Sequence, residues 1–257
     1  MTLAERGRTR TTGRPRLIVD RSRSNDLDGS TILKKALKAL IPDAALRLPI
    51  LGGPFAGGFF IGRPRDSLRK VMGVYEHELN PWLIKVLPRV NVVLDLGGNV
   101  GYFSFGCAAA FRRKDIVTAI ICFEPDEYYC QILEQGAGRY RSSKLDITIV
   151  QKFVGAGGDV ADTIQLESVA SQLEDGQRAL VKIDVEGAEL DVLSHGGPWL
   201  TSQNYFLIEV HAESLIKPIV NLLAEHGVSL QQIDQRPHWL LGPEQRDKDN
   251  RWLVSAL

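Results

Sequence analysis

The stretch that most constrains this chain is NVVLDLGGNVGYFSFG, residues 91–106. An apolar run climbs to Asp95, falls at once into a turn carrying Gly97, Gly98 and Gly101, and continues as an expected helix. A strand, a glycine turn and a helix in that order open a parallel β-α-β unit. The rest of the chain keeps the alternation. Strands are expected at NVVLDL, DIVTAIICFE, LDITIVQKFV, ALVKIDV, YFLIEVH and GVSLQQID, with a last one near RWLVSA. Helices are expected at GYFSFGCAAAFRR, DEYYCQILEQGA, GAELDVLSHG and, starting near Pro218, PIVNLLAEHG. Several strands are unbroken apolar runs, as a parallel sheet covered on both faces requires. The expected fold over residues 90–257 is therefore α/β, an open, doubly wound, mostly parallel sheet of seven strands. Nothing helical separates the last two strands, which are expected to close the sheet as a C-terminal antiparallel hairpin.

Upstream, residues 28–89 are expected to form an N-terminal, largely helical subdomain that serves as a lid. In GSTILKKALKALIP, Leu33, Leu37 and Leu40 share one helix face, and Lys34, Lys35 and Lys38 another. LGGPFAGGFFIGRPR reads as turns with a short strand or hairpin. DSLRKVMGVYEHELNPWLIKVLPR reads as two short helices broken near Gly73 and Pro81. Residues 1–27 form a basic arm with seven arginines in the first 23 positions, read as a solvated, flexible lead-in. Formal net charge is zero, so bulk charge does not argue for a nucleic acid partner, and none is expected. No signal-peptide pattern follows the arm, and no apolar run approaches the roughly 18–20 residues of a membrane span. Cys107, Cys122 and Cys130 lack metal or redox spacing and are expected as reduced core thiols of a cytoplasmic protein.

In a Rossmann-like sheet the ligand lies beyond the carboxyl ends of the strands, where strand order reverses. The dinucleotide fingerprint started at Gly97 would need glycine where Asn99 and Tyr102 stand. Started at Gly98, it meets Val100 and Phe103. The spacing present is Asp-x-Gly-x-x-x-Gly. A carboxylate at a strand end accepts from an ammonium, and glycines let a ligand approach the backbone. S-adenosylmethionine has an amino-acid tail with an ammonium and no pyrophosphate, so it suits this turn better than a nicotinamide dinucleotide does. A nucleoside cofactor also calls for an acid at the end of strand two, and Glu124 stands there. Asp126, two residues on, suits a helix N-cap.

A second acidic strand end follows in LVKIDVEGAELDVLSHG, with Asp184 and Glu186 just after a strand that contains Lys182. The next strand ends in Glu209 and His211, which alternation places on one side. VLDLGGNVGYFSF, FEPD, VKIDVEGAELDVL and IEVH, in that order and with GVYEHEL upstream, resemble the FkbM-type methyltransferases. These are S-adenosylmethionine-dependent class I enzymes that mostly O-methylate. The resemblance covers roughly residues 73–215. It implies that Asp95, Gly97, Gly98, Asn99 and Gly101 surround the methionine part of the cofactor, with Glu124 on its ribose. Asp184 and Glu186 are implied beside the reactive centre. Where family members often read Thr-Leu-Asp, this chain has TIQLESV with Glu167 in the acidic position.

The activity expected is O-methylation of a hydroxyl on a sugar, a polyketide-like compound or another small molecule. His211 is the first choice of general base, with Asp184 and Glu209 as alternatives. Tyr75, Glu76 and His77 are expected in a flap over the pocket. No metal ligand is assigned, although Asp184, Glu209 and His211 could hold a divalent ion instead. The competing classes are a nicotinamide-dependent oxidoreductase and a non-catalytic domain that binds RNA through the basic arm. Oligomeric state is left between monomer and homodimer.

Overall fold

A computed structural model describes residues 44–156, 162–172, 176–244 and 250–257. The basic arm and the helix expected at residues 30–41 lie outside the described residues. Seven strands form the main sheet: β3 (Val92–Leu96), β4 (Thr118–Phe123), β5 (Leu145–Val150), β8 (Ala179–Ile183), β9 (Tyr205–Val210), β10 (Leu230–Ile233) and β11 (Arg251–Ser255). Their order is β10-β11-β9-β8-β3-β4-β5. β3, β4, β5, β8 and β9 are mutually parallel, and β11 runs antiparallel between β9 and β10. The chain thus moves outward from β3 through β4 to β5, then crosses back to β8 on the other side of β3. The order reverses between β3 and β8, and that is where such a sheet opens a crevice.

Every residue of β3 and β8 is buried, polar ones included. Alternation sends Val93, Ile120, Leu180 and Leu207 to one face and Val92, Leu94, Ile121, Val181 and Ile208 to the other. The first face is covered by α3 (Tyr102–Lys114) and α4 (Glu127–Ala137), through Phe105, Ala108 and Leu133. The second is covered by α5 (Glu189–Ser194) and α6 (Glu213–Glu225), through Val192, Leu193, Ile219 and Leu223. Two apolar faces explain why these strands read as continuous runs in the sequence.

Residues 44–89 share the first of these cores. The hairpin of β1 (Leu46–Pro49) and β2 (Phe59–Gly62) precedes α1 (Leu68–Met72) and α2 (Asn80–Val86). Phe60, Leu79, Trp82 and Val86 join the cluster that holds Phe105 and Phe111 of α3. The Trp82 indole N–H donates to the Ser255 carbonyl of the last strand at 2.9 Å. Gly73 ends α1 in the left-handed region, with φ 72°. Pro81 sits in the first turn of α2, where a missing amide breaks no helical bond, so it starts that helix instead of breaking one.

Two other expectations shift. LDITIVQKFV is not one strand. β5 stops at Val150, and β6 (Phe153–Val154) pairs with β7 (Thr163–Ile164) in a ladder of its own. The helix expected from Pro218 begins at Glu213 and contains the proline. Buried Ile219 and Leu223 fix its inner face, and that burial outweighs the one hydrogen bond lost. All three cysteines are free and buried. Among the described residues no helix is long and apolar enough to cross a membrane.

Candidate functional site

A cavity of about 290 Å³ opens at the carboxyl ends of β3, β4 and β8. Gly97 and Asn99 reach it from β3, Phe123, Glu124 and Pro125 from β4, and Asp184, Val185 and Glu186 from β8. Tyr129, Lys152, Phe153 and Val154 complete the wall. None of these last four is marked by a motif in the sequence. Tyr129 follows the Asp126 N-cap of α4, and Phe153 enters because the chain leaves the main sheet after β5.

Gly97 adopts φ 87°, and a Cβ there would run into the Asp184 carbonyl oxygen. Glycine at this position lets the ends of β3 and β8 approach one another. The amides of Gly97 and Gly98 donate to the Phe123 carbonyl at 3.0 and 3.1 Å, which draws in β4. Glu124 completes the tie. Its Oε2 accepts the Asn99 amide at 2.7 Å and its Oε1 accepts the Asp126 amide at 3.0 Å. Each oxygen keeps a lone pair for a further donor, and the carboxylate lies in the cavity wall. Asp126 caps α4 through the amides of Tyr128 and Tyr129. Gly98 and Gly101 do not line the cavity. Side chains there would strike Cys122 and Phe105, so their glycines serve packing.

Asp95 is also behind the wall. It is fully buried, and the ammonium it holds is that of Lys182, its register partner on β8. Lys182 Nζ lies 3.1 Å from Asp95 Oδ1, 3.3 Å from Asp184 Oδ2 and 3.0 Å from the Gly97 carbonyl. The Ser104 hydroxyl donates to Asp95 Oδ2 at 2.6 Å. Burial works against the Lys182 charge, but Asp95 and Asp184 together hold its pKa above the usual lysine range. The carboxylate expected at the cofactor ammonium is thus occupied from within, and it braces the turn through Lys182.

Asp184, Glu186 and His211 come together at the mouth. His211 Nε2 is 3.7 Å from Asp184 Oδ1 and 3.6 Å from Glu186 Oε2. The other ring nitrogen, Nδ1, meets Glu189 Oε1 at 2.6 Å. Glu189, not expected at the site from the sequence, is fully buried, and its Oε1 also accepts the Gly187 amide at 2.8 Å. The Glu189 hydrogen bond raises the His211 pKa to about 9 against the opposing pull of burial, with Glu189, Glu209 and Asp184 charges adding to the rise. A raised pKa favours the protonated ring near neutral pH, so in this arrangement His211 is better placed to hold a proton than to take one. Glu209 behaves oppositely. Burial, then repulsion from Asp184, raises its pKa to about 7. Its Oε1 accepts from the Asn250 side chain at 3.1 Å, and it does not line the cavity.

Tyr75, Glu76 and His77 are placed elsewhere. Tyr75 packs edge-on against Tyr102, with ring centroids 5.5 Å apart. The Glu76 amide donates to Glu244 at 3.0 Å, and the His77 ring meets His238. None of the three lines the cavity.

No protein-family model matches the chain. Among curated proteins it is similar to the hexuronic acid methyltransferase AglP of Haloferax volcanii, 24% identical over 247 residues, covering 84% of this chain and all of that one. Among solved structures it is similar to the methyltransferase FkbM of Methylobacillus flagellatus KT. The TM-score is 0.51 at 18% identity, over 65% of this chain and 44% of that one. The fold is that of an FkbM-type methyltransferase. The chain spans less than half the length of that solved FkbM structure. The shared fold places the cavity where the strand order reverses.

Proposed function

We propose that the chain is an S-adenosylmethionine-dependent O-methyltransferase whose acceptor is a hydroxyl of a sugar of the uronic-acid class. The observation that carries the reading is the cavity at the strand-order reversal, walled by Asp184, Gly97 and Glu124 at the ends of three adjacent strands, β8, β3 and β4, with Glu186 beside Asp184. The acceptor class follows the hexuronic acid methyltransferase to which the chain is similar.

S-adenosylmethionine, when bound, supplies a methyl on a sulfonium that leaves with the C–S electron pair as the acceptor oxygen takes the methyl. Glu124 is assigned to the ribose hydroxyls, using the lone pairs its two amide bonds leave over. Tyr129, Pro125 and Phe153 offer apolar surface for the adenine ring. Backbone groups of Gly97 and Asn99 face the amino-acid end. Asp184 is assigned to take the acceptor proton, since it lines the cavity and its Oδ1 is not held by Lys182. The His211 imidazolium beside it favours negative charge at the reacting oxygen.

Calorimetric titration of S-adenosylmethionine and S-adenosylhomocysteine tests the cofactor, with micromolar binding expected and loss in Glu124→Ala. Incubation with uronic-acid oligosaccharides then tests the acceptor by mass. An ether product survives mild alkali, whereas a methyl ester on the sugar carboxylate is cleaved. An alkali-labile product, or none with any sugar, would refute the acceptor assignment.

A further inference from the structure

We propose that Asp184 Oδ1, a carboxylate oxygen of Glu186 and His211 Nε2 form a binding site for one divalent cation of the manganese or magnesium class. The ligand atoms these three residues offer all lie within 4.8 Å of one another. The two oxygens stand 3.7 and 3.6 Å from Nε2, too far for hydrogen bonds. That spacing suits atoms sharing one ion, since ligands about 2.1 Å from a common centre sit about 3–4 Å apart.

A second observation comes from a residue outside the three. Glu189 is fully buried behind them and engages His211 Nδ1, which leaves Nε2 as the nitrogen turned to the carboxylates. A carboxylate on the far nitrogen of a ligating histidine is the usual outer-shell arrangement at metal sites. Its other oxygen, Oε2, is buried with no hydrogen-bond partner among the described residues. An unpartnered carboxylate oxygen in a dry environment is costly, and a nearby cation offsets that cost.

Charge points the same way. Asp95, Asp184, Glu186, Glu189 and Glu209 crowd around two cationic groups, Lys182 and His211. Five carboxylates against two cations leave this corner strongly negative. Lys182 takes Asp95 and Asp184 Oδ2, so it does not serve Glu186 or Glu189. Glu209, which the sequence offered only as an alternative ligand, is not in the cluster and is held by Asn250. Two oxygens and one imidazole nitrogen favour a hard or borderline ion over a thiophilic one. The ion would displace the proton from His211 Nε2, so the metal-bound state is an alternative to the one in which His211 is an imidazolium and Asp184 Oδ1 is free to take a proton. Its use in methyl transfer rests on the function proposed above; its binding does not.

The test uses the full chain, freed of metal with a chelator and titrated with Mn²⁺, with free Mn²⁺ read by electron paramagnetic resonance. One Mn²⁺ per chain is expected. Glu186→Gln and Glu189→Gln should each weaken binding by about 10–100-fold, the range for losing a partner of this kind. The Glu186 side chain is 89% exposed, so its variant keeps the fold, checked by an unchanged melting midpoint. Glu134→Gln, exposed on α4, controls for diffuse binding and should change nothing. Absence of Mn²⁺ binding in the wild type, or equal binding in Glu186→Gln, overturns the site. Titrating S-adenosylmethionine into the same samples separates the failures. Cofactor binding without Mn²⁺ binding removes the metal site alone, and Mn²⁺ binding without cofactor binding removes the methyltransferase reading alone.

Discussion

Replacing Lys182 with methionine tests whether Asp95 braces the turn from within. Methionine keeps the length and apolar stem of lysine and removes the ammonium. Asp95 is then left fully buried with the Ser104 hydroxyl as its remaining side-chain partner. The Lys182 side chain is only 7% exposed, so water cannot screen the loss. Breaking a buried pair by deleting one partner costs about 3–5 kcal/mol, because the surviving charge is stranded. In a domain of this size that lowers the melting midpoint by about 6–20 °C. Calorimetric melting and urea unfolding of wild type and variant read the effect directly. The decisive arm is the double variant Asp95→Asn with Lys182→Met, which removes both charges together. Replacing a whole buried pair is often close to neutral, so the double variant should regain most of the loss. A single variant that loses less than about 1 kcal/mol, or a double variant no better than the single, would refute the reasoning.

Gly97→Ala should abolish cofactor binding and destabilise the fold, because φ 87° and the Asp184 carbonyl both exclude a Cβ; calorimetry and melting measure the two effects. Phe153→Ala should weaken cofactor binding by about tenfold while changing stability by less than about 0.5 kcal/mol, since this side chain is 53% exposed. In metal-free buffer, the His211 pKa is raised from 6.5 to about 9, so its contribution to stability is full below pH 6.5 and is lost as pH climbs through 9. The stability gap between wild type and His211→Gln, measured by urea unfolding, should therefore shrink across that window. For Glu209, raised from 4.5 to about 7, wild type should lose stability between those pH values, and Glu209→Gln should flatten the decline.

Much of this protein is legible residue by residue. Apolar runs interrupted by one charged residue each mark β3, β8 and β9, because a parallel sheet covered on both faces leaves no polar alternation to confuse the pattern. Glu124, Asp184 and Glu186 stand out in the sequence as acids just past buried strands, and all three line the cavity. Asp126 is legible as a cap for the same local reason. The hairpin nature of the last two strands follows from the lack of a helical pattern between them, although the insertion of β11 between β9 and β10 does not.

What tertiary structure alone decides is which partner a charge meets. Asp95 reads as a ligand for a bound ammonium, and its partner proves to be Lys182, remote in sequence but opposite it once β3 and β8 align. His211 reads as a base, and the buried Glu189 on α5 beside its Nδ1 raises its pKa, a contact set by how that helix packs against β9. Phe153 and Tyr129 reach the cavity wall by the path the chain takes after β5 and into α4, without a motif of their own. Strand ends are local properties of the sequence. The pairing of charges depends on strand order and register, which arise only when distant segments bury their apolar faces together.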